Sequence, residues 1–217
     1  MFIEDRRTRV KICGITTLED GRFASGAQAD YLGFIFWPGS KRYITPERAT
    51  EIIGWIEGPE CVGVFVDQTI EEVNRIAIEA GIDLVQLHGE ESVEYCQQMV
   101  KPVIKSFRIK PEMTGNDIEN LVSPYLDHVS YILFDSYDKI FHGGTGKTFN
   151  WNLLEKIRMK VPVILAGGIS AENVVQAINS VKPFMVDVSS SLENEPGIKD
   201  FDKITEFFEQ MDAINEL

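Results

Sequence analysis

The sequence holds only three cysteines and three histidines, and neither set has the spacing of a metal or disulfide site. Cys13, Cys61 and Cys96 are odd in number and form no CxxC pair, which argues against a disulfide framework and a zinc site and points to a reducing compartment. Cys61 and Cys96 read as structural. His88, His128 and His142 lack ligand spacing, so no metal is expected. Basic charge is also scarce: 21 Lys and Arg against 34 Asp and Glu leave a formal charge of -13. That balance argues against nucleic acid and anionic membrane as partners. No window approaches the roughly 20 apolar residues of a membrane span. Met1 to Arg9 is too short and too charged for an export signal. The expectation is a soluble, cytoplasmic protein that holds any anionic ligand by local charge.

Two nucleotide signatures are missing as well. No glycine fingerprint follows the first strand, where a dinucleotide fold would place it. Gly143 to Thr148 ends like a phosphate-binding loop, but the glycine required five residues before the Gly-Lys pair is Phe141. That loop, Ser136 to Thr148, reads instead as a lid, with Lys147 near an anionic group or simply solvated.

What is present is a regular alternation of short apolar runs and capped helices. Val10-Lys11-Ile12-Cys13 reads as the first strand, ended by Gly14. Further strands follow at 30–36, 61–66, 83–88, 102–107, 130–135, 162–166 and 184–188. Between them, Thr17, Thr45 before Pro46, and Thr69 read as helix caps, Thr69 with Glu72 as a capping box. Helices are also expected over 91–99, within 115–126, from about 150, after a Ser170 cap, and from about 199. Nearly continuous apolar strands require a parallel sheet covered by helices. Eight such units in 217 residues predict one α/β domain spanning 1–217, a single (βα)8 TIM barrel.

In such a barrel the chemistry lies at the C-terminal strand ends: Cys13, Phe36, Asp67, His88, Phe107, Asp135, Gly167 and Asp187. Lys11 lies on the same face of its strand as Cys13, and a nearby ammonium favours thiolate at neutral pH. Asp135 ends an apolar strand, where a buried carboxyl can act as a general acid. Gly167 and Gly168 after strand seven, with Ser189 and Ser190 after strand eight and ahead of a short extra helix, have the makings of a phosphate site. Arg42, in the loop after strand two, has the fork for a substrate carboxylate, or is a surface arginine. His88 is either a substrate contact or a satisfied residue of the mouth.

The ordered set Val10 to Ile15, Ser40 to Tyr43, Val85 to Gly89, Gly143 to Trp151, Ala166 to Ile169, Val186 to Ser190 and Pro196 to Asp200 resembles the phosphoribosylanthranilate isomerases of tryptophan biosynthesis. The resemblance implies the same barrel and an Amadori rearrangement of N-(5-phosphoribosyl)anthranilate without metal or organic cofactor. It matches Cys13 to the general base and Asp135 to the general acid, on opposite strands of one mouth. Arg42 matches the holder of the anthranilate carboxylate, and Asp187 a polar contact near the sugar or amine, with Lys11 and His88 beside the substrate. Gly144, Gly167, Gly168, Ser189 and Ser190 match the phosphate grip. The expected partner is this small-molecule substrate, bound by a monomer or homodimer. One departure is Ser191, where the family commonly has glycine; if positive φ is needed there, the serine is strained. Two rivals remain: a histidine-pathway Amadori isomerase, which carries a carboxylate where Cys13 stands, and a non-catalytic phosphometabolite-binding barrel, which needs no thiol and carboxyl pair.

Overall fold

The computed structural model describes residues 7–136, 150–154, 157 and 159–215. Its first strand, β1 (Arg9–Cys13), pairs in parallel on one side with β2 (Tyr31–Ile35) and on the other with β8 (Met185–Val188), so the sheet has no free edge. Between these lie β3 (Glu60–Phe65), β4 (Leu84–Leu87), β5 (Val103–Ile109), β6 (Tyr131–Ser136) and β7 (Val163–Leu165), closed in chain order. This is the expected eight-stranded barrel. The crossovers hold α1 (Leu18–Gly26), α2 (Pro46–Ile53), α3 (Ile70–Glu79), α4 (Val93–Cys96), α5 (Gly115–Val122) and α6 (Val174–Val181), and α7 (Phe201–Asn215) ends the chain. No helix among the described residues is long and apolar enough to cross a membrane.

Alternation divides the apolar side chains into two cores. Val10, Ile12, Leu32, Phe34, Leu87 and Phe134 pack in the large cluster with helix residues such as Val73, Ala177 and Phe207, and Cys61 and Cys96 join it as small buried hydrophobes. Tyr31, Val62, Leu84, Ile104, Leu133, Ile164 and Met185 form a second cluster, from the opposite faces of their strands, inside the barrel. Each fully buried side chain of this size stabilises by about 1.5–3 kcal/mol. At the N-terminal ends of the strands, Arg9 donates to the Tyr31 hydroxyl at 3.0 Å and stacks 4.9 Å from the Phe184 ring. The floor is thereby closed, and the polar inward positions lie toward the other end.

The caps at Thr17, Thr45 and Thr69 accept from the amides of Asp20, Arg48 and Glu72, as their spacing predicts. Glu72 returns no bond to Thr69 among the described residues; the reciprocal capping box forms instead between Thr114 and Asp117. Three further expectations change. Asn150 caps a 3-10 turn, Trp151–Leu153, and Ser170 closes a turn with Asn173 before α6 begins. A two-stranded hairpin, β9 (Glu193–Glu195) and β10 (Ile198–Lys199), precedes α7, which starts at Phe201.

The helix expected from Glu91 starts only at Val93, because Glu91 turns inward. Its carboxylate, 5% exposed, accepts from the amides of Asp67 and Gly89 and from Lys105 Nζ at 2.7 Å. One side chain thus stitches together the ends of β3, β4 and β5. Burial alone would raise its pKa, but the Lys105 ammonium and the backbone donors hold it below the ordinary 4.5. A depressed carboxyl contributes its stability above 4.5 and loses it as pH falls further. Glu91→Ala, which strands the Lys105 charge, is expected to cost about 3–5 kcal/mol in urea unfolding at pH 7. Its deficit relative to the parent protein should shrink as the pH is lowered below 4.5.

Candidate active site

The mouth of the barrel opens into a cavity lined by Cys13, Arg42, Gln86, His88, Asp135, Gly167, Gly168, Asp187, Ser189 and Ser190. It therefore brings together nine of the expected site residues. Ile35, Trp37, Val64, Val66, Ala166 and Ile169 supply apolar wall in the same cavity. Of the strand ends read from the sequence, Phe36, Asp67 and Phe107 do not line it. Ile35, the last residue of β2, and Trp37 beyond it line the cavity, while Phe36 between them packs in the large core.

The thiol owes its position to a missing side chain. Cys13 lies opposite Gly33 in the β1–β2 register, and a Cβ on Gly33 would come within 2.7 Å of Sγ. Two residues down the same face, Lys11 is fully buried and lines no part of the cavity. Its Nζ meets both oxygens of Asp187, its register partner on β8, at 2.9 Å. Burial opposes its charge, but Asp187 keeps Lys11 protonated above the ordinary lysine range. The expectation of a Lys11-activated thiolate is corrected here. Burial dominates and pushes the Cys13 thiol up; Lys11 pulls it down, and Asp187 offsets that pull. Lys11, expected beside the substrate, lies behind the cavity wall, against Asp187 and Cys13.

Asp135 is the penultimate residue of β6, three strands from β1 by way of β8 and β7, so acid and base candidates are not on opposite strands. Its Oδ1 accepts from the Ser136 amide at 2.7 Å, and its Oδ2 lies 3.4 Å from His88 Nε2. Gln86 Nε2 lies 3.1 Å from His88 Nδ1. With the amide donating, it is Nε2, the nitrogen nearer Asp135, that carries the imidazole proton. Gly167 makes this packing feasible: at φ +83 it adopts a conformation that L side chains rarely take, and its Cβ would lie 2.6 Å from Asp135 Oδ1.

The amides of Gly167, Gly168, Ser189 and Ser190 donate to no acceptor among the described residues, and all four residues line the cavity. Convergent free amides beside a short helical turn, here Ser190–Leu192, are suited to a phosphate dianion. Ser191 does not have positive φ. Its hydroxyl donates to the Ile169 carbonyl at 2.6 Å and ties the two loops together, so the feared strain is absent. Arg42 lines the cavity with its Nε and Nη2 held by Glu193. Gly144 and Lys147 lie outside the described residues.

A model of the N-(5'phosphoribosyl)anthranilate (PRA) isomerase family matches residues 10–210. The N-(5'-phosphoribosyl)anthranilate isomerase of Geotalea uraniireducens (strain Rf4) is 46% identical over 204 residues, 94% of this chain and 98% of its own. The chain belongs to the phosphoribosylanthranilate isomerase family. The family's crystal structure from Thermotoga maritima superposes with a TM-score of 0.86 at 40% identity, covering 95% of this chain and 99% of that one. Another phosphoribosylanthranilate isomerase structure, at TM-score 0.80, 38% identity and coverage of 95% and 99%, is a complex with reduced 1-(o-carboxyphenylamino)-1-deoxyribulose 5-phosphate. This chain is thus an isomerase of tryptophan biosynthesis, and both rivals raised by the sequence fall away.

Within this phosphoribosylanthranilate isomerase, the residues missed in the sequence are Trp37 and Gln86 in the cavity wall, and Glu193 and Lys199 behind Arg42. Alternation along β4 puts Gln86 on the face of His88 and was the only available signal for it. The electrostatics of Cys13 give a direct test. Because burial raises the thiol above its ordinary 9.0, its reaction with iodoacetamide, followed by peptide mass spectrometry, should accelerate with pH to beyond 9. Asp187→Asn, which removes the opposing charge and leaves Lys11 unneutralised, should move that profile to lower pH.

Proposed function

We propose that this cavity converts N-(5'-phosphoribosyl)anthranilate to 1-(2-carboxyphenylamino)-1-deoxyribulose 5-phosphate with Asp135 as general acid and Cys13 as general base. Asp135 gives its proton to the furanose oxygen as the C1'–O bond breaks and the nitrogen lone pair forms a Schiff base. The Cys13 thiolate then takes the proton from C2', and the C–H electron pair moves into a C1'–C2' double bond as the iminium is neutralised. The resulting enolamine tautomerises to the ketone. Acid and base of this kind each contribute on the order of 10² to 10⁴ in rate. His88, with Nε2 3.4 Å from Asp135 Oδ2, stabilises the carboxylate left after the first transfer.

The observation that carries this reading is that one cavity is lined by both Cys13 and Asp135. The free amides of the β7 and β8 loops and Arg42 after β2 flank β1. That layout suits a ligand with a phosphate on one side of the reacting carbons and an aromatic carboxylate on the other. Ile35, Trp37, Val64 and Val66 offer apolar wall for the ring. Asp187 would meet the sugar or amine. Three free, buried cysteines among the described residues suit a reducing, cytoplasmic setting.

Cys13→Ala and Asp135→Asn are each expected to lower kcat by about 10² to 10⁴ with unchanged melting temperature. Full activity in either variant, followed by the loss of substrate fluorescence, would remove the mechanism. Arg42→Ala should raise KM for phosphoribosylanthranilate while leaving inhibition by inorganic phosphate unaltered. An unchanged KM would mean that another group holds the carboxylate.

A further inference from the structure

Arg42 does not stand alone at the cavity. Glu193, with a side chain only 3% exposed, takes the guanidinium edge-on: Nε at 2.8 and 3.0 Å from its two oxygens and Nη2 at 2.6 Å. Nη1, the remaining nitrogen, has no partner among the described residues. Behind the carboxylate sits Lys199, its side chain wholly buried, with Nζ 2.9 Å from Glu193 Oε1. The same ammonium donates to the carbonyl of Cys13 at 2.7 Å and of Ser189 at 3.3 Å. Two cations share one carboxylate, leaving a surplus positive charge beside the cavity in a chain whose formal charge is -13.

We propose that Glu193 and Lys199, presented by the β9–β10 hairpin, are positioning residues that hold Arg42 with one nitrogen presented to the aromatic carboxylate of the substrate. The proposal rests on the reading of Arg42 as the carboxylate holder. A free arginine side chain loses several rotamers on binding a ligand; here that ordering is completed in advance by a bidentate, charge-assisted contact. The surplus charge is neutralised only when the ligand's carboxylate arrives, which favours that ligand over an uncharged analogue. Because Lys199 also grips the backbone of Cys13 and Ser189, the carboxylate, proton-transfer and phosphate regions keep a fixed spacing. Glu193 and Lys199 touch no reacting atom and hold Arg42 from behind.

The test is steady-state kinetics on Glu193→Gln, Arg42→Ala and the double variant, with inorganic phosphate as a competing anion and thermal unfolding as a check on folding. Glu193→Gln should raise KM roughly tenfold, with kcat within about twofold and inhibition by phosphate unchanged. In the Arg42→Ala background the same substitution should add nothing further. Glu193→Asp, which keeps the charge on a shorter arm, should fall between the two and carries the test if the glutamine variant does not fold. If Arg42→Ala raises KM but neither Glu193 variant does, the positioning role is overturned while the reading of Arg42 stands. If Arg42→Ala leaves KM unchanged, both fail together. Parallel losses of kcat and phosphate inhibition in Glu193→Gln would show a merely structural role and also overturn the proposal.

Discussion

An ammonium and a carboxylate sealed together at the seam of the barrel set the terms for everything above them. Lys11 and Asp187 are register partners on the first and last strands, and their side chains, 0% and 9% exposed, meet where the sheet closes on itself. Buried charges of this kind are tolerated only in pairs, and separating them is costly. The pairing therefore opposes slippage of β8 against β1, since a shift of one residue would turn either side chain to the other face. Cys13 lies two residues above Lys11 and Ser189 two above Asp187. At about 3.3 Å per residue, one ion pair thereby fixes the heights of the Cys13 thiol and of the loop at Ser189 together.

The same kind of pairing lets an acidic protein take a substrate with two anionic groups. Cations near the mouth are kept, and each sits against a carboxylate: Lys11 against Asp187, Arg42 and Lys199 together against Glu193. Close pairing avoids a bare buried charge, while the free amides of Gly167, Gly168, Ser189 and Ser190 need no counterion at all. The cost falls on the thiol, which is pushed up by burial and feels an ammonium already balanced by Asp187. A thiolate in that position is strongly basic once formed and scarce at neutral pH.

Much of this was legible in the sequence, because barrel strands and helix caps are local signals. The caps at Thr17, Thr45 and Thr69 and the alternation of Lys11 and Cys13 need only neighbouring residues to be read, and family-level motifs add the mouth residues. Pairings created by closure were not legible. Arg42 and Glu193 are separated by 151 positions and Lys11 and Asp187 by 176, so no periodicity connects them. Glu91 was hidden for a related reason: its helical context was real, but a buried lysine on β5 and two amides outbid the first turn of the helix. Ser191 shows the converse, since a strain inferred from one residue type vanished once its φ and its bond to Ile169 were seen.

The account stands or falls on one cavity serving all three parts of the substrate at once. Its most direct test is a crystal structure of this protein with the reduced carboxyphenylamino-deoxyribulose phosphate bound. The expected density places the phosphate on the amides of Gly167, Gly168, Ser189 and Ser190, the carboxylate at Arg42, and carbon 2 within about 3.5 Å of Cys13 Sγ. A ligand seated with its phosphate away from those amides, or with carbon 2 out of reach of both Cys13 and Asp135, would contradict it.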